Sequence, residues 1–241
     1  MLFRSDGLTV FVNLNGSGQP TQVTAAAAMP DVIKHIDAGL LRAADKYRML
    51  AVAGDCGTTT IVPCVKLVGL RYLTSYSLQL SSSLDFSGLS ATTLHAMAVG
   101  DLNRDGRDDV VTVVGTATST QIVAFLQGAS NTFSRVLVAE TTATFPDKLR
   151  LADVDRDGYP DLVLHDPTGA TSCGAVEILY QNPSTYTTNP PTTVTLRTGH
   201  ALMASGHCVD DLDVGDVDRS GHTDVITLDA ANGLMRAIRQ K

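Results

Sequence analysis

Residues 153–164, DVDRDGYPDLVL, set four aspartates within nine residues and then turn abruptly into apolar strand-formers. Close-set carboxylates repel one another, and each is costly to desolvate. A segment that goes straight from such a cluster into the interior needs a compensating positive charge. Without one it must remain a wet turn.

The stretch has relatives. GDLNRDGRDDVVTVVG starts at Gly100, ADVDRDGYPDLVLHD at Ala152 and GDVDRSGHTDVITLD at Gly215. Each reads small–Asp–x–Asx–x–Asx/Ser–Gly–x–x–Asp, followed by apolar or β-branched residues. Their first aspartates stand at 101, 153 and 216, at intervals of 52 and 63 residues. Periods of this size point to stacked supersecondary units, propeller blades foremost. A degenerate fourth copy, LLRAADKYRMLAVAG from Leu40, aligns when Gly54 is set against Gly115. Arg42 then replaces Asn103 and Arg48 replaces Asp109, so no ion is expected there.

Between the loops the pattern is β. TQIVAFLQG and GAVEILYQN read as the strands that follow, and SRVLVAE and TTVTLRT as return strands, so each unit supplies about four short strands. DVIKHIDAGLLRAADKYRML comes nearest to a helical pattern, but its register in the repeat assigns strand–loop–strand. MLFRSDGLTVFVNLN resembles DVITLDAANGLMRAI, from Asp224, as strand, glycine turn and strand. The expected architecture is all-β: one β-propeller segment over residues 1–241, with blade units at about 1–39, 40–100, 101–152, 153–215 and a partial unit at 216–241. On this reading the chain is an incomplete propeller of about four blades, an open arc with one apolar terminal face that further blades or a partner would cover.

Composition narrows the function. The net charge of −7, with no cluster of Lys and Arg, argues against a nucleic-acid surface. No apolar run reaches the length of a membrane helix, and MLFRSDG lacks the apolar core of a signal peptide. Glu140 and Glu177 are the only glutamates; every other acid is Asp. Asp suits turns and metal loops rather than helices or strands.

Counted from its first Asp, the second loop offers side-chain oxygens from Asp153, Asp155 and Asp157 at positions 1, 3 and 5. Gly158 permits the backbone reversal, Tyr159 offers its carbonyl, and Asp161 closes the site. This is an all-oxygen shell of the kind that selects Ca²⁺. A divalent cation would turn the repulsion into attraction and tie the loop to the inner strand that follows. The same roles fall on Asp101, Asn103, Asp105, Arg107 (by its carbonyl) and Asp109. They also fall on Asp216, Asp218, Ser220, His222 (by its carbonyl) and Asp224, where Ser220 makes the loop weaker by charge. An EF-hand would need a bidentate Glu at position 12 and flanking helices. Thr112, Leu164 and Thr227 stand there instead, inside apolar strands. Three Ca²⁺ sites are therefore expected.

These repeats resemble the FG-GAP/VCBS family, the calcium-loop blades of integrin α-subunit propellers and of many microbial surface proteins. The Phe-Gly and Gly-Ala-Pro signatures are not evident, so the likeness is to the VCBS-type variants. The resemblance implies a β-propeller with Ca²⁺ on one face, and adhesion or ligand recognition rather than catalysis. The expected location is extracellular or at the cell surface, and the expected partner a protein or glycan ligand.

Four cysteines allow three pairings. In an extracellular protein Cys56–Cys64 and Cys173–Cys208 are the expected ones, and four free thiols the alternative. The six histidines show no metal or triad spacing. The polar, Pro-rich loop at 181–193 reads either as a surface excursion or as a recognition loop in which Tyr186 stacks on a sugar. Two glutamates in different blades make no acid–base pair, so the chain reads as non-enzymatic. A lectin-like propeller and the accessory propeller of a polysaccharide-degrading enzyme are the rival readings.

Overall fold

The structure is a computed structural model that describes residues 9–12, 21–24, 30, 32–42, 48–57, 62–72, 76–130, 132–141, 143–168, 174–202 and 208–238. The described residues contain no α-helix. Strands β1 (Thr9–Val12) and β2 (Thr21–Thr24) form a hairpin. The first four-stranded sheet runs β3 (Val32–Arg42), β4 (Arg48–Cys56), β5 (Val62–Tyr72) and β6 (Tyr76–Leu84). The second runs β7 (Ala91–Gly100), β8 (Asp109–Thr116), β9 (Thr120–Gln127) and β10 (Phe133–Thr141). The third runs β11 (Lys148–Ala152), β12 (Asp161–Asp166), β13 (Ala175–Gln181) and β14 (Leu196–Leu202). The fourth holds β15 (Asp211–Gly215), β16 (Asp224–Asp229) and β17 (Leu234–Ile238). Each is an antiparallel meander in chain order, as expected of propeller blades.

The first strands of successive sheets, β3, β7, β11 and β15, lie side by side. Each acidic loop joins a first strand to a second, so a sheet starts one strand before its loop. The expected blade units began at the loop, and the sheets are phased one strand earlier. The strand fed by each loop is therefore the second of its sheet, not the innermost as the sequence reading had it. The degenerate copy occupies the same place: Arg42 ends β3, Arg48 opens β4 and the two are cross-strand partners. Residues 43–47 of that loop lie outside the described residues. The two strands expected of this segment are present.

The second strands β8 and β12 read as near-continuous apolar runs because both their faces are covered. In β8, Val110 and Val114 join a core with Leu67 and Phe125, while Val111 and Val113 face Leu149, Leu162 and Leu164 of the next sheet. In β12, Val163 turns the other way, toward Val176, Leu212 and Val225. Side chains alternate across a strand, so one run of valines and leucines feeds two inter-sheet cores.

Disulfide Cys56–Cys64 links β4 to β5. Cys208 is also disulfide-bonded. Cys173, its expected partner, lies outside the described residues.

Asp166 ends β12 and is buried. Its Oδ1 accepts from Thr168 N (2.9 Å) and Thr168 Oγ1 (2.7 Å), and its Oδ2 from Thr144 N (2.6 Å). Burial pushes its pKa up, but these bonds outweigh burial and hold it below the usual aspartate value. A depressed folded-state pKa stabilises above the unfolded value, and that stability is lost as pH falls through the folded one. Asp166→Asn turns an amide N–H toward one of these donor sets. We expect it to cost about 1–3 kcal/mol at neutral pH, with the gap narrowing under acid. Urea midpoints of both proteins measured against pH test this; coincident midpoints at every pH would show that these bonds contribute nothing.

Candidate metal centre

The three loops share one backbone path. Position 4 has positive φ in each, at Arg104 (58°), Arg156 (66°) and Arg219 (60°). So does position 6, at Gly106 (82°), Gly158 (89°) and Gly221 (82°). The glycines were legible in the sequence and the arginines were not. A left-handed Arg costs about 1–2 kcal/mol, which the surrounding bonds must offset.

Those bonds run mainly from loop amides to carboxylates. At position 1, Asp101 accepts from Asp105 N (3.0 Å) and Gly106 N (2.9 Å). Asp216 likewise accepts from Ser220 N (2.9 Å) and Gly221 N (2.8 Å). Asp153 accepts from Gly158 N (3.0 Å) through Oδ2 alone. Its Oδ1 is buried with no hydrogen-bond partner. At position 9, Asp161 Oδ2 accepts from Val154 N (2.8 Å) and Asp155 N (3.3 Å), and its Oδ1 from Gln181 N (2.9 Å) at the end of β13. Asp109 repeats this with Leu102 N (2.9 Å), Asn103 N (3.4 Å) and Gln127 N (2.8 Å). Asp224 accepts from Val217 N (3.2 Å). In the first two loops the ninth-position Asp thus pins the loop to the third strand of its sheet as well as opening the second.

Asp153, Asp155 and Asp161 bring one oxygen each within 4.8 Å of one another, and Asp216, Asp218 and Asp224 do the same. These two clusters can hold a metal ion. Asp157, in the second loop, turns its Oδ1 to Tyr159 N (2.9 Å), and Ser220, in the third, is exposed. The first loop differs. Its third position is Asn103, and Asp105 forms an ion pair with Arg107 while accepting from Asn103 Nδ2 (3.3 Å). Asp101, Asp105 and Asp109 form no such cluster. Of the residues assigned carbonyl roles, Arg107 Nε donates to Gln127 O (2.9 Å), Tyr159 packs edge-on against Tyr186 at 5.3 Å, and His222 is half-buried.

The electrostatics suit a cation. Burial lifts Asp161 to about 6, and the carboxylates of Asp157 and Asp153 add to the lift against the bonds that favour ionisation. Burial likewise lifts Asp109 to about 7, with Asp105 adding. A positive ion at the loop would remove this penalty. In the second loop Arg197 already supplies part of the charge through an ion pair with Asp155.

The loop at 181–193 is not a free excursion. Tyr186 donates its hydroxyl to Gln181 Oε1, and Pro191 O accepts from Asn103 Nδ2 (3.1 Å) of the first loop. Gln181 itself escaped the sequence reading. Its signal was present: Gln127 and Gln181 each follow the hydrophobic run that makes a third strand.

Residues 101–164 match the family model of the FG-GAP-like repeat. The match begins at Asp101, contains the first two acidic loops and ends within β12. No curated protein sequence matches the chain.

Proposed function

We propose that this chain, with its FG-GAP-like repeat at residues 101–164, is a Ca²⁺-binding β-propeller protein that acts outside the cell in adhesion or ligand recognition and carries out no catalysis. One observation carries the metal reading. Three carboxylates of the second loop converge within 4.8 Å, and one of their neighbouring oxygens, Asp153 Oδ1, is buried with nothing to bond. An orphaned buried carboxylate oxygen is costly, and a hard cation in the cluster would satisfy it. Asp153, Asp155, Asp157 and Asp161 would hold the ion, with the Tyr159 carbonyl. Asp216, Asp218, Ser220 and Asp224 would hold a second, with the His222 carbonyl. The first loop, Asp101, Asn103, Asp105 and Asp109 with the Arg107 carbonyl, is the third site of the proposal; its Asp105 must leave Arg107 to join. The disulfides support an oxidising compartment.

A lectin-like function is the second reading. It is favoured by Tyr159 and Tyr186 meeting beside the second loop, with Arg104 over the Tyr159 ring at 5.4 Å. A glycan array separates the two.

The metal reading predicts a higher melting temperature in CaCl₂ than in EGTA. Each site filled at about 100 times its dissociation constant adds roughly 2.7 kcal/mol. Identical melting temperatures would overturn it.

A further inference from the structure

Gln181 has no exposed surface, and its side-chain hydrogen bonds reach both the first and the second acidic loop. Its Nε2 donates to Pro160 O (2.6 Å), one residue before Asp161. The same nitrogen donates to Leu102 O (2.9 Å), which stands between Asp101 and Asn103 of the first loop. Its Oε1 accepts from Tyr186. An amide carries two N–H donors and one carbonyl oxygen, so both donors are engaged and the oxygen is bonded. A buried side chain held at every polar atom has no freedom to absorb a movement of either loop.

The bridge reaches the carboxylates at both ends. Gln181 N donates to Asp161 Oδ1 (2.9 Å), and Leu102 N donates to Asp109 Oδ2 (2.9 Å). Two further ties run alongside it. Asn103 Nδ2 donates to Pro191 O (3.1 Å), and the Arg104 guanidinium lies over the Tyr159 ring at 5.4 Å. The same residue type recurs at 127 and 240. Gln127 N makes the same main-chain bond to Asp109 that Gln181 N makes to Asp161. Gln240 lies outside the described residues.

We infer that Gln181 is a positioning residue that couples cation binding at the second loop to cation binding at the first. This rests on the metal reading above. Loading the second loop draws Asp153, Asp155 and Asp161 together and shifts the backbone at Pro160. Gln181 carries that shift to Leu102, and so to the placement of Asp101 and Asn103. Coupling between sites is reciprocal, so an intact first loop also tightens the second.

Terbium tests this, because Tb³⁺ takes oxygen ligands as Ca²⁺ does and Tyr159 can sensitise its luminescence at the second loop. Loss of the signal in Asp153→Ala assigns it to that loop. Disabling the first loop with Asp101→Ala should weaken Tb³⁺ binding at the second by about fivefold or more. In a Gln181→Met background the same change should have a clearly smaller effect on the affinity. An effect of equal size in both backgrounds, or none in either, overturns the coupling and leaves the metal reading standing. No sensitised signal in the unaltered protein overturns both.

Gln181→Glu keeps the length of the side chain and replaces the methionine variant if that one does not fold. Hydrogen exchange gives a reading with Gln181 intact. In Asp101→Ala protein, Tb³⁺ at the second loop should slow exchange at the Leu102 and Asn103 amides. Unchanged exchange there counts against the bridge.

Discussion

Gly174→Ala is expected to destabilise the protein by about 3 kcal/mol or more, at or beyond the upper end of ordinary overpacking. A Cβ at this position would lie 1.8 Å from Val209 O, 2.8 Å from His165 Nε2 and 3.0 Å from Val209 C. None of these is the yielding end of a flexible side chain. The Val209 carbonyl is hydrogen-bonded by His165 Nε2 at 2.8 Å, and Val209 N donates to Gly174 O at 3.3 Å. Asp210 N donates to Leu228 O at 2.8 Å, and Cys208 is disulfide-bonded. The segment cannot retreat without breaking the ties that seat the fourth sheet on the third. The core formed by Val163, Val176, Leu212 and Val225 would open with it. Gly215→Ala is the matched control, because a Cβ there meets nothing within 4 Å. It should change stability by no more than about 0.5 kcal/mol. Urea midpoints of the two variants decide the matter; equal shifts would mean that Gly174 is not the contact described.

Asp161→Ala is expected to cost about 3 kcal/mol with EGTA present, before any metal is considered. The carboxylate satisfies three backbone amides, Val154 N, Asp155 N and Gln181 N. Orphaning a buried donor costs about 1–3 kcal/mol. The low end applies to each here, because removing the buried carboxylate also relieves its own desolvation. Asp153→Ala removes one loop amide's acceptor, at Gly158 N, together with the unpartnered Oδ1. It should therefore be nearly silent in EGTA, while removing the share of the calcium-dependent gain that the second loop contributes. Thermal melts of both variants in EGTA and in CaCl₂ separate the roles. If Asp161→Ala were silent in EGTA, the ninth aspartate would be a ligand and not the pin that holds the loop to the sheet.

The contrast between these two aspartates marks where sequence reasoning stopped. Both carry the same charge, and both belong to one spacing pattern. From the pattern alone they are equivalent oxygen donors. Only the fold brings Gln181 N within reach of Asp161, and leaves Asp153 Oδ1 buried without a partner. The first loop teaches the same lesson. Its spacing matches the other two, but Asn103 and the Arg107–Asp105 ion pair keep three carboxylates from gathering.

The amino-acid sequence by itself determined the β class, the repeat, the position of each loop and the glycine at each sixth position. Those features are local: side-chain alternation, turn chemistry and residue spacing act over a few neighbours. Tertiary structure alone decided the phase of the sheets and the partners of Gln181. Each depends on contacts between residues far apart in the chain. Leu102 and Gln181 are separated by 79 positions yet share a hydrogen bond. No local pattern encodes which distant carbonyl a buried amide will meet, because that is set by how one sheet seats on the next.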